Sequence, residues 1–185
     1  MGELLSWGRM ERLTKADIGR ALEALAAALP PSASMRELWV VGGAAVVLLY
    51  DARETTKDVD AFSLDPGMAQ VLRTAAAKVA DRLGLPADWL NDGAKGYVHG
   101  LATGQVLLEA AGLVVRSVAV PQLLAMKLSA WRDDLDVADA RLLLSKIAGD
   151  RASVWQQVEP HLVPGRELKA RYAFDDLWEA DRGPA

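Results

Sequence analysis

The stretch Val40–Phe62, VVGGAAVVLLYDARETTKDVDAF, decides how this chain is read. An apolar run stops at Gly42-Gly43, resumes as Ala44–Tyr50, and gives way to a polar turn that leads into Asp58 and Asp60. Residues i and i+2 of a strand share a face, with Cα atoms roughly 7 Å apart. Asp58 and Asp60 therefore stand side by side while Val59 turns the other way. Aspartate is disfavoured in strands, and two like charges on one face repel. A divalent cation gripped by both carboxylates would compensate them. A solvated strand face, with one aspartate paired to Lys57 or Arg53, is the alternative. Gly42 and Gly43 are open to the same choice. A strand that ends in two glycines and runs at once into a helix lets backbone N–H groups approach a phosphate with no Cβ in the way. A tight strand-to-helix turn without a ligand uses the same residues.

Working outward, Thr14–Leu29 reads as a helix with Thr14 as N-cap and an apolar stripe of Ile18, Leu22, Leu25 and Leu29, ended by Pro30-Pro31. Leu38–Val41 is a buried strand, Ala44–Tyr50 a buried helix, and Lys57–Phe62 an alternating strand. Pro66–Leu83 is a helix that begins near Asp65. Asp88–Gly104 is rich in loop residues. Gln105–Ala110 and Leu113–Val118 form a hairpin about Gly112. Helices follow over Pro121–Trp131, Leu135–Ile147, Ser153–His161 and Arg166–Glu179. The fold class is therefore α/β (α+β): a small mixed sheet with an N-terminal helical segment (1–35), a core (36–120) and a C-terminal helical region (121–185), compact as one domain.

Composition narrows the chemistry. Of 185 residues none is cysteine, which excludes disulfides, zinc–thiolate sites and thiol nucleophiles together. Two histidines, His99 and His161, are too few for a histidine-built metal cluster. Any metal would be hard and oxygen-ligated, magnesium or manganese. A net charge of −4 does not describe a general nucleic-acid binder. No stretch has the length of a membrane span and the N-terminus lacks a signal-peptide core, so the expected location is cytoplasmic. The tryptophans, Trp7, Trp39, Trp89, Trp131, Trp155 and Trp178, are scattered as core and tail packing would place them.

Glycines and carboxylates together resemble the signature of the polymerase-beta-like nucleotidyltransferases, in which a Gly-Gly or Gly-Ser turn opens a helix and an acidic-x-acidic pair sits on the next strand. GGAAVVLLYDARETTKDVDAF is most similar to the small abortive-infection-type (AbiEii-like) nucleotidyltransferases, which include toxins of toxin–antitoxin pairs and place an Arg and a Thr before the carboxylates, here Arg53 and Thr56. The second half, PQLLAMKLSAWRDDLDVADARLLL, resembles their helix with a central Lys followed by an acidic segment. The resemblance covers roughly Leu38–Leu144.

It implies that Gly42 and Gly43 cradle the phosphates of a nucleoside triphosphate and that Asp58 and Asp60 hold magnesium. Arg53 and Thr56 would belong to the nucleotide site, and Lys127 would reach the triphosphate. The acceptor would be an RNA such as tRNA, or a protein, with a cognate toxin or antitoxin chain as partner. The family's third carboxylate has one candidate in the hairpin, Glu109 of QVLLEAAGL; a water-facing edge residue is its other reading. Asp133, Asp134, Asp136 and Asp139 read as helix N-terminal acids favoured by the dipole, with Arg132 and Arg141 as partners. Lys127 can also be read as a lysine snorkelling from an apolar helix. Three readings of the whole chain stay open: a magnesium-dependent nucleotidyltransferase, a catalytically weak module of that fold that binds a partner chain through Trp155, Tyr172, Phe174 and Trp178, or a purely structural α/β domain with Asp58 and Asp60 as surface charges.

Overall fold

The computed structural model describes residues 12–32 and 34–182; the N-terminal residues with Trp7 lie outside them. A two-residue strand, β1 (Leu13–Thr14), leads into α1 (Lys15–Ala28). Thr14 caps α1 as the sequence suggests. Its hydroxyl accepts from the Asp17 N–H at 3.2 Å, and the Asp17 carboxylate accepts from the Thr14 N–H at 3.0 Å, so two otherwise unpaired donors are satisfied reciprocally. Ile18, Leu22 and Leu25 are buried along the apolar stripe.

The strand β2 (Arg36–Val41) enters α2 (Gly42–Leu49) without an intervening loop, so the two glycines open the helix rather than precede it. α2 is apolar on all sides and is accordingly packed inside. The polar turn holds β3 (Thr55–Thr56), which pairs antiparallel with β1, and β4 (Val59–Phe62) follows. α3 (Met68–Leu83) starts later than Pro66, because Asp65 accepts the Gly67 N–H at 2.8 Å in a turn that delays the helix. Gly84, in the left-handed conformation at φ 67°, terminates it.

The segment read as loop contains β5 (Leu90–Asn91) and a 3₁₀ turn over Gly93–Tyr97. The expected hairpin is β6 (Thr103–Ala110) with β7 (Leu113–Val118), paired antiparallel. The helices α4 (Val120–Ala130), α5 (Asp134–Ser145), α6 (Arg151–Val158) and α7 (Glu167–Arg182) complete the chain. The fold is α/β, with a mixed five-stranded sheet ordered β5-β4-β2-β7-β6. β2 lies at the centre, parallel to β7 and antiparallel to β4.

One apolar cluster runs from Leu13 to Trp178 and takes in the sheet and the C-terminal helices. The tail aromatics belong to it. The Trp155 and Phe174 rings lie 5.1 Å apart and the Phe174 and Trp178 rings 5.7 Å apart, all three buried. They are spent on this chain's own packing, which corrects the expectation that they dock a partner; Tyr172 alone of that group is exposed. Among the described residues no helix is long and apolar enough to cross a membrane.

Candidate active site

The parallel β2–β7 pair and the antiparallel β4 bring the C-terminal end of β2 next to the start of β4, with Val41 opposite Asp60. A cleft of about 570 Å³ opens there. It is lined by Gly42, Gly43, Arg53, Thr56, Asp58, Asp60 and Lys127, every candidate except Glu109. The sheet register explains the exception. Glu109 pairs with Val114, which pairs with Glu37 near the start of β2, so Glu109 sits exposed on an edge strand at the end of the sheet away from Gly42. Glu109 is therefore not part of the cleft; the hairpin carries it the wrong way.

Asp60 is half-buried on β4 and Asp58 just precedes that strand. Each has one oxygen occupied. Asn91 on the neighbouring β5 donates its side-chain amide to Asp58 Oδ2 at 3.0 Å. The Ala94 N–H in the 3₁₀ turn donates to Asp60 Oδ1 at 3.1 Å. Asp58 Oδ1 and Asp60 Oδ2 remain for a ligand. Burial, and then the Asp58 charge, raise the pKa of Asp60, against the pull of the Ala94 hydrogen bond and of the Lys127 and Arg132 charges. Neither Lys57 nor Arg53 forms an ion pair with either aspartate, so the like-charge repulsion is not relieved in the way a plain surface strand would relieve it.

Gly42 has φ 63°, and a Cβ added there would lie 3.0 Å from Asp60 Oδ2. A Cβ at Gly43 would lie 2.8 Å from the Arg53 guanidinium. Glycine is thus favoured at 42 by close approach and by backbone conformation, while a side chain at 43 would have to displace the Arg53 guanidinium. The N-terminus of α2 has no side-chain cap, which leaves its N–H groups and the positive end of the helix dipole directed at the cleft. Gly42→Ala is expected to lower stability by about 1–2 kcal/mol through left-handed strain alone. A urea midpoint measurement checks this.

The opposite wall is a buried charge network that local reading of α5 does not anticipate. Lys127, 7 % exposed, donates to Asp136 at 2.9 Å and lies 2.8 Å from Asp139. Arg53 reaches across from the β3 turn to Asp139 and also donates to the Thr55 carbonyl. Arg132 binds Asp136 through its side chain and its N–H. Lys127 is therefore neither snorkelling nor extended as a free point charge. Arg132 is the expected partner of Asp136, but Arg141 turns away to Asp181. Asp133 does cap α5, accepting from the Asp136 N–H at 2.9 Å.

One signal for this network was in the sequence. Asp136 and Asp139 fall on the stripe of Ala140, Leu143 and Leu144, an otherwise buried face, and are themselves 2 % and 4 % exposed. Burial works to raise the pKa of Asp136, but hydrogen bonds from Arg132 and Lys127 overcome it and lower the pKa to about 2. A carboxylate depressed in the folded state contributes stability above its ordinary pKa of 3.8 and loses it as pH falls through the folded value. The acid limb of unfolding is expected between about pH 4 and pH 2, and Asp136→Asn should flatten it in a pH-dependent melting series.

Among the described residues no group of three His, Cys, Asp or Glu side chains could enclose a metal. Magnesium is suited to such a site, because it is commonly held by one or two carboxylates with water and substrate phosphates completing the octahedron. Comparisons with family models, with curated proteins and with solved structures find no match to this chain.

Proposed function

We propose that the chain is a magnesium-dependent nucleotidyltransferase. The observation that carries this reading is that two carboxylates, each with one oxygen unengaged, line one cleft with the uncapped glycine-opened N-terminus of α2, Asp60 lying directly beside Gly42. Asp58 Oδ1 and Asp60 Oδ2 would hold the cation, which when bound supplies charge neutralisation of a triphosphate and a lowered pKa for an attacking hydroxyl. The N–H groups of α2 bind phosphate oxygens. Lys127 and Arg53 line the cleft as well, each held in place by its carboxylate partners. Thr56 sits at the cleft edge beside the carboxylates.

The reaction joins an acceptor oxygen to the α-phosphorus of a nucleoside triphosphate. The bond from that phosphorus to the bridging oxygen breaks, pyrophosphate leaves, and the acceptor's proton goes to solvent. An RNA end and a protein hydroxyl are the acceptors this reading carries, with a toxin–antitoxin setting as its biological form. A second reading, a nucleotide-binding module with little turnover, is favoured by one observation: with Glu109 outside the cleft, the remaining acids there, Asp133 and Asp136, are engaged in the cap and the ion network.

The test incubates the purified chain with each labelled nucleoside triphosphate, magnesium, and total tRNA or cell extract. Label passed to an acceptor by the wild-type chain and lost in Asp60→Ala supports the enzyme. Glu109→Gln is expected to retain full transfer. Magnesium-dependent nucleotide binding without transfer would favour the module instead. Transfer that survives Asp60→Ala would remove the aspartate pair from the mechanism.

A further inference from the structure

Tyr97 is the one aromatic side chain among the described residues that line the cleft. It ends the 3₁₀ turn whose Ala94 N–H binds Asp60, and three residues of such a turn rise about 6 Å. Tyr97 therefore lines the same cleft as the carboxylate pair, on the short turn that binds Asp60. The ring is backed from outside the cleft. The Arg166 guanidinium lies 5.2 Å from its centroid, and Arg166 is not a lining residue of the cleft. Arg166 is itself fixed, donating to the Ser129 carbonyl at 3.0 Å near the C-terminal end of α4. An aromatic side chain that lines the cleft and is braced by a cation from outside the lining is available for stacking.

We infer that Tyr97 is the nucleobase platform of this cleft, stacking the base of a bound nucleoside triphosphate while Arg166 holds the ring from behind. This rests on the nucleotidyltransferase reading and deepens it. Every base presents a π-face, so stacking supplies affinity with little base selectivity. The ligand class is accordingly any nucleoside triphosphate, in preference to a bare polyphosphate. It also ties the C-terminal segment to the cleft wall from outside, through one side chain that precedes α7.

The test measures magnesium-dependent binding of ATP, GTP, CTP and UTP, and of inorganic tripolyphosphate, by calorimetry. Wild-type, Tyr97→Ala, Tyr97→Phe and Arg166→Ala chains are compared, their melting temperatures serving as the check on folding. Tyr97→Ala is expected to weaken each nucleotide on the order of 10-fold or more and to leave tripolyphosphate unchanged. Tyr97→Phe should keep near wild-type affinity, and Arg166→Ala should fall between the two. Equal loss for tripolyphosphate, or no loss for nucleotides, would overturn the platform and leave the transferase reading intact. A wild-type chain that binds neither nucleotide nor tripolyphosphate would overturn both.

Discussion

Asp60→Asn is expected to abolish nucleotidyl transfer and to raise the melting temperature at the same time. The two effects have one origin. Asp60 is charged, half-buried and close to a second carboxylate, and both circumstances raise its pKa. A group whose folded pKa is raised contributes stability below its ordinary value of 3.8 and loses it as pH rises through the folded value, so at neutral pH the ionised side chain costs stability. Asparagine keeps an oxygen for the Ala94 N–H and presents an amide donor beside Asp58. Single stabilising substitutions commonly give about 0.5–2 kcal/mol, or a rise of several degrees for a chain of this length. The gain should be full at pH 7 and vanish below about pH 4, as the wild-type carboxylate becomes neutral too. Calorimetric melts of both chains at the two pH values, without metal, decide it. An unchanged or lower melting temperature at pH 7 would show that Asp60 is not held at a cost, and would remove the main physical reason for placing a cation there.

The largest loss is expected from Asp139→Ala. Asp139 lies between two cations, Lys127 at 2.8 Å and Arg53, all three side chains being nearly removed from solvent. Deleting the shared carboxylate leaves the Arg53 guanidinium without its ion-pair partner and Lys127 with Asp136 alone, a change that costs about 3–5 kcal/mol when one partner of a buried pair is removed. The Arg141–Asp181 pair is the control. Its arginine is half exposed, so Asp181→Ala should cost less than about 1 kcal/mol. If the two substitutions prove equal by urea denaturation, the network is not the buried structural element described above. Transfer should fall in Asp139→Ala even where the protein remains folded, because Arg53 packs against Gly43 and would no longer be fixed there.

Much of this was legible locally. The Thr14 cap, the proline stop after α1 and the strand that ends in glycines depend on residues a few positions apart, and each formed where the sequence placed it; the alternating strand expected over Lys57–Phe62 is shorter, Val59–Phe62, and leaves Asp58 just before it. What the sequence left open depends on distant partners. The Arg53–Asp139 contact joins residues 86 apart, and no local pattern on α5 names Arg53 as a partner. Glu109 could be assigned to the cleft only while the strand order was unknown. Once β6 is seen to run antiparallel beside β7, the end of the hairpin nearest Glu109 lies at the far edge of the sheet. Asn91 and Tyr97 lay in a segment that read as loop. They matter because a two-residue strand pairs with β4 and carries the following turn to Asp60.

The long-range closure of this site bears on how the chain is made. During synthesis the glycine turn and both aspartates emerge before their partners, because β2 pairs with β7 across residues 36 and 113, and Arg53 waits for Asp139. Pairings of such separation form late and slowly, since loop closure must precede any return in contacts. A nascent chain halted before α5 would hold every residue of the glycine turn and the aspartate pair with its arginine uncountered. On the proposed reading, competence to bind triphosphate would therefore arrive only after α5 has been made. Ribosome-arrested chains of increasing length, assayed for nucleotide capture, should show binding appear only once α5 has cleared the exit tunnel.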